Sequence, residues 1–172
     1  MGLSFLRMEV NKMLRGSVKE LDRKIIIQLI RDADQPIVDI AKKVGASRQT
    51  VSKKLKKFRK SGMIESHMIR LNPEMFGLDT RAYVFLREVP QDDVRARNEK
   101  VINKFSQVYS FRRLFGRYSA ILEVLTKDRE ELTSIVKEIH GLEGVRETET
   151  FIVHSTVKDE PKDPFLNILE PK

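Results

Sequence analysis

The sequence predicts an α+β protein in two parts, an all-helical N-terminal part and a C-terminal part with the order β-α-β-β-α-β. Three observations carry this. Apolar residues recur at helical period through the first third of the chain, then alternate between strand-like runs and helical stripes. Charge divides at the same place: the net charge is +8, yet residues 1–76 hold a basic excess of nine and residues 77–172 balance to within one. Pro73 and Gly77 punctuate the junction between them. Such asymmetry predicts a polyanion-binding part joined to a part with a different task.

Among the helices, residues 1–16 place Leu3, Leu6, Val10, Met13 and Leu14 roughly on one side and form a candidate extra helix. Residues 17–32 carry the first strong signal. Ser17 and Glu20 have capping-box spacing, and Leu21, Ile25, Ile26, Leu29 and Ile30 make one apolar stripe. A second helix begins near Pro36, which suits a first turn, buries Ile37, Ile40, Ala41 and Val44, and ends at Gly45. Ser47 is the expected N-cap of a third helix that ends at Gly62. Two short helices separated by a few residues including a glycine form a helix-turn-helix. Residues 17–64 are therefore read as a three-helix, winged helix-turn-helix domain. Residues 65–78 are a linker strand or hinge, since "MIESHMIRL" has strand composition.

The following elements are a strand in "TRAYVFLREV", a helix over residues 92–105, strands in "VYSFRRLFG" and "SAILEVLT", a helix over residues 129–140 and a strand in "VRETETFIVHSTV". Val94, Val101, Ile102 and Phe105 form the apolar stripe of one helix; Leu132, Ile135, Val136 and Ile139 form that of the other. This order is the split-βαβ, ferredoxin-like module, assigned to residues 79–158. Two helices cover only one face of such a sheet. Yet Val84 and Leu86 alternate with Tyr83 and Phe85, and Leu122 and Val124 with Ile121 and Leu125, so both faces are apolar. The uncovered face predicts a homodimer through the sheet; packing on the chain's own N-terminal domain is the alternative. The tail, residues 159–172, is expected to be loose or docked on a neighbouring subunit.

The third helix carries the functional signal. "SRQTVSKKLKKFRKSG" holds seven basic side chains and no acidic one, whereas a merely solvated helix mixes signs at i,i+4 spacing. Val51, Leu55 and Phe58 fall on one side and must face the core, which turns the charge outward. Ser47, Arg48, Gln49, Thr50, Ser52 and Lys53, at the N-terminal end, are types that hydrogen-bond base edges in the major groove. Lys56, Lys57 and Lys60, further along, suit phosphates. Helix-turn-helix proteins insert this N-terminal end. Double-stranded DNA is the expected partner, because RNA modules stack bases on aromatics and Phe58 is needed inside.

The stretch "LDRKIIIQLIRDADQPIVDIAKKVGASRQTVSKKLKKFRKSGMI" resembles the DNA-binding domain of the Lrp/AsnC, or feast/famine, transcription regulators, and "GRYSAILEV…GLEGVRETETFIV" is similar to that family's sensing domain. The resemblance spans residues 18–158. It implies a dimer, often assembled into tetramers or octamers, that binds a pseudo-palindromic site. It also implies a small effector, typically an amino acid, bound between sensing domains. Gly116, Arg117, Ser119, Thr148 and Thr150 are the candidate effector residues. Ser119 stands where the family's Gly-x-x-Asp loop has its carboxylate, and a hydroxyl cannot ion-pair with an ammonium; Arg117 then favours a more acidic ligand or none.

Other chemistry is sparse. The absence of cysteine removes disulfides, thiolate catalysis and cysteine-ligated zinc. His67, His140 and His154 have no ligand spacing, so neither metal nor cofactor is expected. No apolar run approaches the ~18 residues of a membrane span, the N-terminus is too charged for a signal peptide, and Leu6 breaks a myristoylation motif. The expectation is a cytoplasmic, non-enzymatic DNA-binding regulator. An architectural DNA-binding protein with weak sequence choice is the alternative. A more remote one is a decarboxylase of sirohaem-type tetrapyrroles, with Arg112, Arg113 and Arg117 holding propionates.

Overall fold

The structure is a computed structural model that describes residues 18–170. They fall into two compact units: one holds the chain up to Ile69 together with the C-terminal segment from Lys158, and the other holds Arg70–Val157. The candidate helix at residues 1–16 lies outside the described residues.

The first unit contains α1 (Glu20–Arg31), α2 (Ile37–Val44) and α3 (Arg48–Lys60). Their apolar stripes meet in one core of Ile25, Ile40, Ala41, Val44, Val51, Leu55 and Phe58. Ile25, Ile40, Val51 and Phe58 are each at most 1% exposed, a burial that contributes roughly 1.5–3 kcal/mol per side chain. Leu21, Ile26, Leu29 and Ile37 pack around its edge. Gly45 closes α2 in the left-handed region (φ 68°) and donates to the carbonyl of Lys42, the conformation glycine adopts without a Cβ penalty.

Two local expectations change. The helix starts at Glu20 with Lys19 as its N-cap, so Glu20 is the first helical residue and cannot close a capping box at the third. Its carboxylate instead holds Arg23 and Lys24. Ser17 lies outside the described residues. The strand expected over residues 63–71 does not form: no ladder partner meets this stretch among the described residues, and Met68, Ile69 and Leu71 remain exposed. No wing strand follows α3 among the described residues; a 3₁₀ turn at Pro73–Phe76 precedes the sheet.

The second unit contains β1 (Thr80–Glu88), α4 (Asp92–Ile102), β2 (Val108–Arg113), β3 (Ala120–Thr126), α5 (Arg129–His140) and β4 (Val145–Ile152). The strands lie in the order β2-β3-β1-β4 and every neighbouring pair is antiparallel, the arrangement of two split βαβ units. Even-numbered residues of β1 and β3 face the helices: Ala82, Val84, Leu86, Ala120, Leu122 and Val124 are 0% exposed and pack with Ile102, Leu132, Ile135 and Ile139. The odd positions Tyr83, Phe85, Ile121 and Leu125 are half-buried on the other face. In α4 the stripe is Val94, Asn98 and Ile102; Val101, expected inside, is 38% exposed.

The tail also differs from expectation. Residues Asp163–Leu169 form a helix, α6, that packs on α1 of the same chain.

Two tight spots generate predictions. Gly144 has φ 73°, and a Cβ there would lie 2.6 Å from Val89 Cγ2 and 2.9 Å from Val94 Cγ1. Gly144→Ala is therefore expected to destabilise the second unit by about 3 kcal/mol, from the left-handed backbone plus the overlap, read in urea denaturation. In the first unit, Lys54 Nζ lies 2.5 Å from Asp22 Oδ1, with side-chain exposures of 23% and 10%. The contact is a partly buried ion pair. Asp22→Ala leaves Lys54 unpaired and should cost about 2 kcal/mol, less than a fully buried pair because the ammonium still reaches water.

Candidate nucleic-acid interface

Helix α3 is positioned by the stripe it buries. With Val51, Leu55 and Phe58 fixed in the core, Arg48, Gln49, Lys53, Lys56, Lys57, Arg59 and Lys60 are exposed. Gln49, Lys53, Lys56 and Lys60 follow one another at i+4, i+3 and i+4 and so share a face. Lys54 is the exception among the seven positive charges, since Asp22 of α1 neutralises it. None of the other six has an acidic partner among the described residues. No acidic residue occupies the first turn, so the free amides and the positive end of the helix dipole add to the side-chain charge.

The N-terminal end is ordered by its cap. Ser47 Oγ accepts from the amide of Thr50 at 3.1 Å and pairs with Thr50 Oγ1 at 2.9 Å. These two hydroxyls therefore hold the helix start, and Thr50 is half-buried. Ser52 is half-buried as well. Arg48, Gln49 and Lys53 remain as the fully presented hydrogen-bonding side chains at this end.

The candidate effector residues separate in the second unit. Gly116 lies at the turn between β2 and β3 with φ 134°. Arg117 points to the helix-free face, where Nη2 donates to Glu147 Oε1 at 3.2 Å and the guanidinium lies 5.1 Å from the centre of the Tyr118 ring. Thr148 and Thr150 pair in register with Leu86 and Val84, which places them on the opposite, helix-covered face. Thr148 Oγ1 is 3.2 Å from His140 Nδ1 at the end of α5. Ser119 is spent on the backbone: its hydroxyl donates to Leu86 O at 3.1 Å and accepts from the Glu88 amide at 3.1 Å. Within one chain these residues do not surround a single pocket.

Behind Ser119 lies a polar cluster that the sequence reading missed. The side chain of Glu88 is fully buried and forms an ion pair with Arg113. Asn98 Nδ2 donates to Glu88 Oε1 at 2.9 Å and to Glu143 O at 3.0 Å. Arg113 also donates to Glu99 at 2.7 Å. Burial alone would lower the guanidinium pKa, but the Glu99 and Glu88 carboxylates outweigh it and hold Arg113 above its ordinary value. The signal was present in the pattern: residue 88 continues the inward parity of 82, 84 and 86, and residue 98 lies midway between Val94 and Ile102.

The helix-free face is likewise cross-linked. Phe85 contacts Tyr118 at 5.2 Å and Phe151 at 5.7 Å between ring centres. Glu123 accepts from Arg112 and from Tyr109. Burial would raise its pKa, but these hydrogen bonds prevail and lower it. Tyr109 is pushed up to about 12 by burial and by that carboxylate. Arg112, Arg113 and Arg117, which a tetrapyrrole would need for its propionates, thus each already hold a carboxylate of this chain.

Known proteins carry the same two units. The Lrp/AsnC ligand binding domain family matches residues 81–163, and a winged helix-turn-helix DNA-binding family matches residues 19–65. The HTH-type transcriptional regulator FL11 of Pyrococcus abyssi is 30% identical over 152 residues, covering 88% of this chain and 99% of that protein. Its counterpart from Pyrococcus furiosus is 28% identical over 151 residues, with the same coverage. Among solved structures, a transcriptional regulator–L-Met complex from Neisseria meningitidis superposes with a TM-score of 0.81 at 22% identity, over 88% of this chain and 99% of that one. AsnC of E. coli gives 0.75 at 22% identity, over 83% and 95%. The chain belongs to the Lrp/AsnC family of helix-turn-helix transcriptional regulators.

Proposed function

We propose that α3 is the recognition helix of a sequence-specific, double-stranded DNA-binding regulator acting in the cytoplasm. Arg48, Gln49 and Lys53 read base edges. Ser47 and Thr50 order the inserted end, with Ser52 beside it at the groove wall. Lys56, Lys57 and Lys60 contact phosphates. The observation that carries this is the row of exposed cations, without acidic partners among the described residues, on the outer side of a helix whose inner side is fixed in a core. An α-helix fits the ~12 Å major groove, and each phosphate contact releases counterions.

The same reading takes the helix-free face as the homodimer interface, the pairing that sets two recognition helices on one duplex. Tyr83, Phe85, Ile121 and Leu125 line this face and no element of the second unit covers it. Larger assemblies, tetramers or octamers, build on that dimer.

The regulators from Neisseria meningitidis and M. tuberculosis were crystallised with methionine. In this chain the effector loop is Gly116–Arg117–Tyr118–Ser119, with Thr148 and Thr150 as further candidates. Ser119 is occupied by backbone groups, and the nearby Glu88 is consumed by Arg113. Arg117 holds Glu147 through Nη2 only and its side chain is largely exposed, so a ligand that reaches its remaining donors through a carboxylate suits this loop better than one held through an ammonium.

Four outcomes test the reading. Gln49→Ala or Arg48→Ala should relax base preference, by about 1–3 kcal/mol per bidentate contact, in selection from random duplex DNA repeated with a panel of amino acids. Lys57→Ala should weaken all sequences alike and flatten the salt dependence by about one unit of slope. Equal affinity of the unaltered protein for selected and random duplexes would instead establish an architectural protein. Phe85→Glu should weaken dimerisation at least ~100-fold, about 2.7 kcal/mol, in sedimentation equilibrium, with the monomer still folded.

A further inference from the structure

The C-terminal helix belongs to the DNA-binding unit, although the chain reaches it only after completing the sheet. The chain leaves the first unit at Ile69, builds the second, and returns at Lys158. On return, Lys158 pairs with Asp163 at 2.6 Å, at the start of α6. At its other end, Arg23 Nη1 donates to Leu169 O at 3.3 Å and Arg31 Nη2 donates to Glu170 Oε1 at 2.7 Å. Both arginines project from α1 and meet the negative end of α6, where the last carbonyls lack helical partners. Leu166 and Leu169 are half-buried, whereas Phe165 and Ile168 are 60% and 48% exposed. A seven-residue helix does not persist alone in water, so its order depends on this shallow docking.

Two consequences follow. The docking uses α1 and leaves the cationic face of α3 open. It also gives the DNA-binding unit a second covalent connection. At ~3.3–3.6 Å per extended residue, residues 153–162 reach about 35 Å at most, while residues 61–79, with Pro73–Phe76 in a 3₁₀ turn of ~2 Å per residue, reach about 60 Å. The return segment is the shorter tether while α6 is docked. The matched Lrp/AsnC ligand-binding domain ends at residue 163, the first residue of α6, so the docked helix lies beyond what the family match covers.

We propose that α6 is a reversible latch on α1, a second tether that limits the reach of the DNA-binding unit, and that its release widens the range of half-site spacings the dimer accepts. This rests on the DNA-binding and dimer readings above.

The chain has no cysteine, so a bismaleimide added to the double variant Arg31→Cys, Glu170→Cys reports on docking alone. Crosslinking within one chain is expected; a crosslink between chains, or none, overturns the latch. A duplex selected by the full-length protein is then re-spaced in single base-pair steps. A chain ending at Val157 should show at least a fivefold smaller spacing penalty than the full chain, with affinity for a single half-site unchanged within twofold. The crosslinked protein should keep the full penalty. Should the truncated chain fold poorly, Glu170→Arg should show the relaxation and adding Arg31→Glu should reverse it. Equal spacing penalties in latched and released forms overturn the proposal. Internal crosslinking in a protein that binds no duplex overturns the DNA-binding reading and the spacing effect with it. Failed crosslinking in a protein that binds DNA overturns the latch alone.

Discussion

The burial of Val51, Leu55 and Phe58 is the constraint on which the functional surface depends. A helix cannot rotate these three into the core without turning the intervening lysines outward, because 3.6 residues per turn fix both faces together. The charges on α3 repel one another, and among the described residues no acidic side chain offsets six of them. Core packing supplies the stability that lets this face remain uncompensated. The one charge close to the core, on Lys54, is neutralised by Asp22 instead, which keeps an unpaired ammonium from being buried. The first helix thus serves α3 twice, through Ile25 in the core and through Asp22 at its margin.

A comparable rule organises the sheet. Side chains alternate faces, so a strand buried under two helices on one side must present its other set elsewhere. Here the second set is aromatic and aliphatic along β1 and β3, bordered by carboxylate–arginine pairs that join each outer strand to its inner neighbour. The helix side has its own polar end, where Glu88, Arg113 and Asn98 close the layer near the loop that carries Ser119. A buried carboxylate is tolerated there because the Arg113 guanidinium and the Asn98 amide both donate to it.

Periodicity made most of this legible before any coordinates. Gly45, the Ser47 cap and the stripes of α3 and α5 follow from local rules that tertiary context did not override. What escaped the sequence depended on long-range pairing. Ser17 and Glu20 have the spacing of a cap, yet the helix starts at Glu20, whose carboxylate is drawn to Arg23 and Lys24. Residues 63–71 have strand composition, yet composition cannot supply the partner a ladder requires. Glu88 and Asn98 read as surface residues by type, although their spacing placed them inside. The docking of α6 rests on Arg23 and Arg31, more than a hundred residues away in sequence.

The split of the effector candidates carries a further physical implication. Arg117 lies on the helix-free face with Glu147, and Thr148 and Thr150 lie on the other side of the same sheet. A sheet layer separates them, so one small molecule cannot bridge both sets within a chain. A ligand that touches Arg117 must instead be completed by whatever covers the helix-free face or its edge. If that cover is a second copy, ligand affinity and assembly become linked, because a ligand that binds only the assembled form shifts the equilibrium toward it. Sensing would then reside in the interface rather than in a preformed pocket, which agrees with the engagement of Ser119 and Glu88 by their own chain.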